Sequence, residues 1–176
     1  MILKTIYLLR HAKSSWQDQQ AEDLNRSLSK RGREAANAMA QYLSKQGIVP
    51  AQILCSPARR TRETLERIEK KLDAAIPIRF EKGIYNAEAP ALLRRLRRLS
   101  DALPSVMVIG HNPGLERLAL MLTGDGEAAA RDKLANKYPT GTLAILTAPV
   151  DHWHDLGPER ARLEAFVRPK DLLSAR

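Results

Sequence analysis

An apolar run near the amino terminus, Ile2-Leu3-Lys4-Thr5-Ile6-Tyr7-Leu8-Leu9, is followed at once by Arg10-His11. This short apolar run is rich in residues that suit a strand buried on both faces. Lys4 interrupts the run and Arg10-His11 ends it, so it has neither the length of a membrane span nor a small-residue cleavage site. We therefore predict a buried strand with an arginine and a histidine at its carboxyl end.

Strand-like and helix-like segments alternate along the rest of the chain. Further strands are predicted at 53–55, 76–80, 106–109, 143–146 and 165–167. Helices are predicted from a Ser29 cap to Gly47, over 61–72, over 92–103, and from an Asn112 cap with Pro113 at the first helical position to Leu122. Residues 10–27 and 124–140 are interpreted as irregular loops. The alternation favours the α/β class, as a three-layer α/β/α sandwich with helices on both faces of a sheet.

Length, composition and charge narrow the class of protein. The 176 residues fit one domain spanning 1–176, and 44% hydrophobic with 28% charged residues is typical of a soluble globular protein. The 29 lysines and arginines outnumber the 20 acidic residues by nine, which favours an anionic partner: a phosphate, a nucleic acid or a lipid headgroup. A single cysteine excludes a disulfide framework and a thiolate-built zinc site. With no targeting or membrane segment in the pattern, we expect a cytoplasmic protein.

Chemically useful side chains follow three of the predicted strands. Arg10-His11 follows the first strand, Ser56-Pro57-Ala58-Arg59-Arg60-Thr61 follows the second, and Gly110-His111-Asn112-Pro113 follows the strand at 106–109. Ligands of open α/β sheets bind outside the carboxyl ends of the strands. Any one of these residues alone would be an ordinary loop residue, but their coincidence at three strand ends predicts a site.

The residue types at this predicted site suit phosphoryl transfer. Arginine presents a rigid fork of donors that pairs bidentately with phosphate oxygens. A neutral imidazole can attack phosphorus and carry the phosphoryl group as a covalent intermediate. Because phosphoryl transfer asks mainly for positioning and charge stabilisation, this set needs no metal, and we expect no cofactor.

The same three segments resemble the motifs of the histidine phosphatase superfamily, whose members have a phosphoglycerate mutase-like fold. The likeness rests on Arg10-His11-Ala12-Lys13, on Ser56-Pro57-x-x-Arg60-Thr61-x-x-Thr64 and on Gly110-His111-Asn112-Pro113-Gly114. Within the superfamily, the stretch from Arg10 to Trp16 and the pattern Arg26-x-Leu28…Gly32 look most like SixA-type phosphohistidine phosphatases. The resemblance implies a mostly parallel central sheet and a phosphatase.

The resemblance also implies roles for particular residues. His11 would be the nucleophile, and Arg10, Arg60 and His111 would hold the phosphoryl oxygens. Lesser contacts to the substrate or its phosphate are assigned to Lys13, Ser15, Arg59 and Asn112. The reaction would then proceed in two steps, transfer to His11 and hydrolysis of phospho-His11 by water.

The general acid that many relatives carry has no clean match in this sequence. Glu81 and Glu88, which flank Ile84-Tyr85-Asn86, are the candidates for it. Imidazole, with a pKa near 6.5, leaves far more easily than an alkoxide, so a missing acid favours a substrate with an N–P bond. We therefore predict a protein phosphohistidine phosphatase, with a small-molecule phosphomonoesterase of the same superfamily as the alternative and a nucleic-acid or phospho-ligand binding module as a distant one.

Three further features invite other interpretations. Cys55 and Arg60 are separated by four residues, where cysteine-based phosphatases need five, so we expect a buried and inert thiol. The segment Asp151-His152-Trp153-His154-Asp155 contains metal-ligand types but has the composition of a solvated surface loop. Arg94–Arg98 suggests nucleic acid, yet no aromatic residue interleaves with its arginines, so a solvated helix face is the interpretation and nucleic-acid binding is not expected.

Overall fold

Strand β1 (Lys4–Arg10) lies in the middle of the sheet in a computed structural model that describes residues 2–17 and 21–174. The other strands in this described part are β2 (Ile53–Cys55), β3 (Ile78–Phe80), β4 (Ser105–Gly110), β5 (Thr123–Gly126), β6 (Leu143–Ala148) and β7 (Ala161–Val167). Their order across the sheet is β3-β2-β4-β1-β6-β7-β5. Among these strands only β6 is antiparallel to its neighbours, so the sheet is mostly parallel, as predicted.

Helices cover both faces of this sheet. They are α1 (Lys30–Lys45), α2 (Arg59–Glu69), α3 (Ala89–Leu96), α4 (Gly114–Leu122), α5 (Ala128–Asn136) and α6 (Pro169–Leu173). Side chains of α1 and α2 share one hydrophobic cluster with the sheet, whereas those of α3, α4 and α5 share another on the opposite face. The predicted three-layer α/β/α sandwich is confirmed.

The two clusters divide along the alternation of β1. Ile6 and Leu8 point into the larger cluster, with Trp153 among its fully buried side chains, while Leu9 points into the cluster that α1 and α2 cover. Successive side chains of a strand face opposite sides of the sheet, so a run without polar interruption is what a strand buried on both faces requires. Because β1 is buried on both faces in the middle of the sheet, its carboxyl end, which carries Arg10 and His11, has a fixed position.

The start of α1 is tied to the loop that follows β1. Ser29 caps the helix, accepting the backbone N–H of Gly32 at 3.0 Å, and its own N–H donates to the carbonyl oxygen of Lys13 at 2.9 Å. A Cβ on Gly32 would lie 2.0 Å from that same carbonyl oxygen, so the close approach of loop and helix requires glycine. The predicted Ser29 cap is confirmed.

Several predicted segments differ from the structure. The helix predicted over 61–72 spans Arg59–Glu69, and the strands predicted over 76–80 and 165–167 span Ile78–Phe80 and Ala161–Val167. The interpretation of 124–140 as irregular is wrong, because β5 and α5 lie there and Glu127 caps α5 by accepting from the N–H groups of Ala129 and Ala130. The helix predicted over 92–103 ends at Leu96. The predicted start of α4 is one residue early: Pro113 is the cap and Asn112 Oδ1 accepts the N–H of Glu116 at 3.3 Å.

The predicted loop over 10–27 is only partly described, since residues 18–20 lie outside the described residues. Its described part is anchored at both ends, with a bridge between Ser14 and Leu28 and a short 3-10 turn over Asp23–Asn25. Across residues 2–17 and 21–174, no helix combines the length and the apolar character that crossing a bilayer requires.

Candidate active site

A cavity of about 710 Å³ opens at the carboxyl ends of β1 and β4. The residues of the predicted site that line it are Arg10, His11, Lys13, Arg60, His111 and Asn112. The other residues lining it are Ser14, Trp16, Asp23, Arg26, Asn86, Lys137, Pro139 and Thr140. The structure therefore brings together the four predicted catalytic side chains, which come from three separate strand ends.

His11 is fixed with one ring nitrogen committed to the backbone. Its Nδ1 lies 2.7 Å from the carbonyl oxygen of Ala12, and since a carbonyl only accepts, Nδ1 carries the proton and donates it. Burial, reinforced by the charges of Arg60 and Arg10, lowers the pKa of His11 to about 4 against the opposing Ala12 hydrogen bond. At neutral pH the ring is neutral, and Nε2 holds the lone pair.

The backbone around His11 is held from both sides. The N–H of His11 donates to the carbonyl oxygen of Gly110 at 3.1 Å, and its own carbonyl oxygen accepts the N–H of Gly141 at 2.8 Å. The N–H of Ala12 donates to Thr64 Oγ1 at 3.1 Å, and that hydroxyl donates to the carbonyl oxygen of Arg60 at 2.7 Å. Through Thr64, α2 links the segment carrying His11 to the one carrying Arg60.

His111 lies opposite His11, with the two ring centroids 5.3 Å apart. Its Nδ1 is 3.2 Å from Arg60 Nη2, and since a guanidinium only donates, Nδ1 is an acceptor and the proton sits on Nε2. Nε2 accordingly donates to Ser56 Oγ at 2.8 Å. Burial first, and then the charge of Arg60, lowers the pKa of His111 to about 3, so this ring is also neutral.

Arg60 is buried and anchored by Asp23. Its Nη1 donates to the backbone carbonyl oxygen of Asp23 at 2.7 Å and its Nη2 to the carboxylate Oδ2 of the same residue at 3.1 Å. Hydrogen bonds from the Tyr85 hydroxyl and Arg26, together with Arg60, outweigh burial and lower the pKa of Asp23 to about 2. Asp23 is thus an ionised anchor for a cationic wall of the cavity.

Arg10 is anchored by the segment that follows α5. Its Nη1 donates to the carbonyl oxygen of Tyr138 at 2.8 Å, and Asn112 Nδ2 donates to the same oxygen at 3.1 Å. The Tyr138 hydroxyl in turn donates to the carbonyl oxygen of Leu8 in β1 at 2.5 Å. Burial lowers the pKa of Arg10 from its usual value, but a guanidinium stays charged across the physiological range.

Four of the predicted site residues do not line this cavity. Ser15 and Arg59 border a small neighbouring cleft, where Arg59 forms an ion pair with Glu63 at 2.7 Å. Glu81 and Glu88, the candidates for a general acid, are also absent from the lining of the 710 Å³ cavity. Hydrogen bonds from Arg95 keep Glu81 ionised by lowering its pKa, so its placement does not support a proton-donating role.

Sequence reasoning missed the residues that hold the predicted ones in place. Asp23 and Tyr138 act across 37 and 128 residues of chain, on Arg60 and Arg10, and neither stands in a strand-end motif. Trp16 and Arg26 fall within stretches that carry the SixA-type resemblance, which is the signal that could have singled them out.

The cysteine and the metal-ligand segment lie in different surroundings. Burial raises the pKa of the Cys55 thiol to about 12, which matches an inert side chain in the core. His152 Nδ1 is hydrogen-bonded to Asp101 Oδ2 at 2.9 Å, and the neighbouring Trp153 is fully buried. In the described part of the chain, no three histidine, cysteine, aspartate or glutamate side chains are grouped as a metal site would require.

The arginines of Arg94–Arg98 border a separate surface groove of about 490 Å³. Arg95 forms an ion pair with Glu81 at 2.7 Å, and Arg97 Nε donates to the carbonyl oxygen of His154 at 2.8 Å. Both contacts fasten the end of α3 to its neighbours, so part of this basic cluster has a structural role.

The arrangement suits covalent phosphoryl transfer. One neutral imidazole presents a free nitrogen, the guanidinium groups of half-buried Arg10 and buried Arg60 line the same cavity, and a second imidazole lies across it. Nε of Arg10 and Nε of Arg60 are buried and have no hydrogen-bond acceptor among the described residues, so neither of these two donors is used by the fold.

Comparisons with known proteins agree with this chemistry. The model of the histidine phosphatase superfamily, branch 1, matches residues 6–90. An uncharacterised protein of Mycobacterium leprae is 31% identical over 166 residues, which cover 92% of this chain and 100% of that protein. A crystal structure from Agrobacterium tumefaciens, assigned to the phosphohistidine phosphatase SixA, has a TM-score of 0.80 and 30% identity over 94% of this chain and 98% of that one. A structure from Nakamurella multipartitia with the same assignment has a TM-score of 0.80 and 26% identity, covering 96% and 98% of the two chains.

Proposed function

The chain belongs to the histidine phosphatase superfamily and is a phosphatase, and from that premise we propose that it hydrolyses phosphohistidine on a protein, with His11 as a covalent nucleophile. The SixA-like neighbours support this substrate. In this proposal Arg10, Arg60 and His111 bind the phosphoryl oxygens, and Lys13 and Asn112, which line the same cavity, make lesser contacts. No cofactor is required.

The first step of the proposed reaction uses the free nitrogen of His11. The Nε2 lone pair attacks phosphorus, the Nε2–P bond forms, and the P–N bond to the substrate imidazole breaks. The substrate ring reacts with a proton on the nitrogen that is not bonded to phosphorus, so the electron pair of the broken P–N bond leaves with a neutral imidazole that keeps that one proton. Arg10 and Arg60 offset the negative charge of the transferring phosphoryl oxygens through charge-assisted hydrogen bonds.

The second step depends on the proton that Ala12 holds on Nδ1. Phospho-His11 keeps its Nδ1–H because that proton lies 2.7 Å from the Ala12 carbonyl oxygen. When water attacks phosphorus, the P–O bond forms, the P–Nε2 bond breaks, and His11 leaves as a neutral imidazole. The second proton of the water passes to a phosphoryl oxygen, and the product leaves the cavity as dihydrogen phosphate. A neutral leaving group makes this hydrolysis feasible without a general acid.

The observation that carries the choice of substrate is the ionisation of Asp23. Among residues 2–17 and 21–174, Asp23 is the only carboxylic acid lining the cavity, and its pKa of about 2 leaves it without a proton at neutral pH. An alkoxide leaving from a sugar phosphate needs a proton donor, whereas an imidazole does not. This favours an N–P bond over an alkyl phosphate ester.

The test compares a phosphohistidine peptide, an aryl phosphate and a sugar phosphate as substrates. We expect kcat/KM to be highest on the phosphohistidine peptide, to fall by about a thousandfold or more in His11→Ala, and to be unchanged in the control His152→Ala. Acid-labile phosphate trapped on wild-type protein, and missing from His11→Ala, would identify the intermediate. Faster cleavage of the sugar phosphate than of the phosphohistidine peptide would overturn the substrate assignment in favour of a small-molecule phosphomonoesterase.

A further inference from the structure

Trp16 is a large apolar side chain that the fold leaves in solvent at the catalytic cavity. It is 70% exposed, whereas Trp153, the other tryptophan, is fully buried in the core. Its ring lines the cavity that also holds His11, Arg60 and His111. Because a tryptophan contributes most to stability when buried, its exposure here leaves the ring free to contact a ligand.

The indole ring is nevertheless held in place by Arg26. The Arg26 guanidinium carbon lies 3.9 Å from the centroid of the Trp16 ring, a cation–π contact. Arg26 is itself clamped, since Nη2 and Nε donate to Asp23 Oδ1 at 2.9 and 3.2 Å and Nη1 donates to Ser14 Oγ at 2.6 Å. The Trp16 platform, meaning Trp16 with the Arg26 that supports it, is therefore a preorganised flat surface.

The backbone that carries Trp16 is also anchored. The N–H of Ser15 donates to the carbonyl oxygen of Ser27 at 2.8 Å, and Ser14 forms a bridge with Leu28. Asp23, which clamps Arg26, also binds Arg60. One carboxylate thus sets the position of a phosphoryl-binding side chain and of the aromatic platform at the same time.

We infer that Trp16 is a specificity-determining residue whose ring stacks against the planar leaving group of the substrate while the phosphoryl group is held between Arg10 and Arg60. The identity of that leaving group, the imidazole of phosphohistidine, rests on the proposed function. Stacking of a planar ring on tryptophan is worth up to about 1.4 kcal/mol, which is about tenfold in affinity. A leaving group without a ring gains nothing from the platform.

The kinetic test compares two substrates that share the P–N bond. A phosphohistidine peptide has an imidazole leaving group, and phosphoramidate releases ammonia. In Trp16→Ala we expect kcat/KM to fall about tenfold on the peptide and to stay within about twofold on phosphoramidate, with Trp16→Phe restoring most of the loss. Phe80→Ala, which removes an aromatic ring that is 53% exposed outside the cavity lining, is the matched control and should change neither rate. Equal losses on both substrates, or no loss on either, would overturn the inference.

A binding measurement separates this inference from the proposed function. Phenylphosphonate and methylphosphonate carry C–P bonds that a phosphatase does not hydrolyse, and they differ in whether a ring is present. By calorimetry, the wild type should bind phenylphosphonate about tenfold more tightly than methylphosphonate, and Trp16→Ala should remove the preference. If that preference exists in a wild type that fails to cleave phosphohistidine, the substrate assignment is wrong and the platform stands. If the two phosphonates bind equally to the wild type, the platform is wrong.

Discussion

Acidification is the perturbation that tests the electrostatics of this cavity most directly. Burial lowers the pKa of His11 from 6.5 to about 4 and that of His111 to about 3. At pH 5 an imidazole with a pKa of 6.5 is about 3% neutral, whereas one with a pKa of 4 is about 90% neutral. We therefore expect His11 to keep its nucleophilic lone pair at a pH where an exposed histidine has lost it.

The assay is an NMR titration of the imidazole C2–H resonances from pH 8 down to about pH 2.5, which covers both midpoints, assigned with His11→Gln and His111→Gln. His152 is an internal reference, because its hydrogen bond with Asp101 raises its pKa and should give a midpoint above 6.5. A midpoint for His11 near 6.5 would contradict this expectation, since it would mean that burial in the cavity does not disfavour the charged ring.

The lowered pKa of His11 also predicts that the protein loses stability in acid. In the unfolded chain His11 binds a proton at about pH 6.5, but in the folded protein it does so only near pH 4, so the unfolded state binds more protons between these values. The free energy of unfolding therefore falls as pH drops through this window, by about 2 to 3 kcal/mol for His11 at pH 4.5. Urea denaturation at pH 7 and pH 4.5 measures this change in the free energy of unfolding. If wild type and His11→Gln lose the same stability between the two pH values, the prediction is wrong.

Three smaller predictions concern residues around the site. Because its thiol is buried with a pKa raised to about 12, Cys55→Ser should retain kcat within about twofold, and a tenfold loss per folded molecule would indicate a thiolate role. Gly32→Ala places a Cβ 2.0 Å from the Lys13 carbonyl oxygen and should lower stability by at least about 2 kcal/mol, as judged by thermal unfolding against Gly83→Ala, where a Cβ meets nothing within 4 Å. Glu81→Gln should leave the rate on phosphohistidine unchanged, and a large loss confined to phosphate esters would return Glu81 to the role of proton donor.

The strand ends could be predicted because local sequence determines them. The run before Arg10, the motif from Ser56 to Thr64 and the segment around His111 are each contiguous, and parallel strands deliver their carboxyl ends to one edge of a sheet. Once the alternation of strands and helices is read, the convergence of Arg10, Arg60 and His111 follows from topology.

The parts of the fold and of the site that the sequence did not predict depend on contacts between distant segments of the chain. β5 reads Thr-Gly-Asp-Gly, which has little strand propensity, and it is a strand because it pairs with β7. Helix α5 buries only Ala130 and Leu134, so its apolar period is too weak to recognise. Tyr138 serves the site largely through a backbone carbonyl oxygen, a group that every residue carries, so its identity gives no signal.

The charge balance of the cavity bears on the proposed role of His111, whose Nδ1 is an acceptor in this structure. In this structure burial first, and then the positive charges of Arg60 and Arg10, lower the pKa of His111, and the ionised Asp23 opposes them only in part. A phosphoryl dianion held by the same two guanidinium groups adds negative charge next to the ring, which raises the pKa of His111 by the same Coulomb interaction with opposite sign. We therefore infer that the substrate favours protonation of Nδ1, which turns that nitrogen from an acceptor for Arg60 into a donor for the phosphoryl group. Repeating the NMR titration with saturating inorganic phosphate should move the His111 midpoint upward, and an unmoved midpoint in protein shown to bind phosphate would leave His111 without this role.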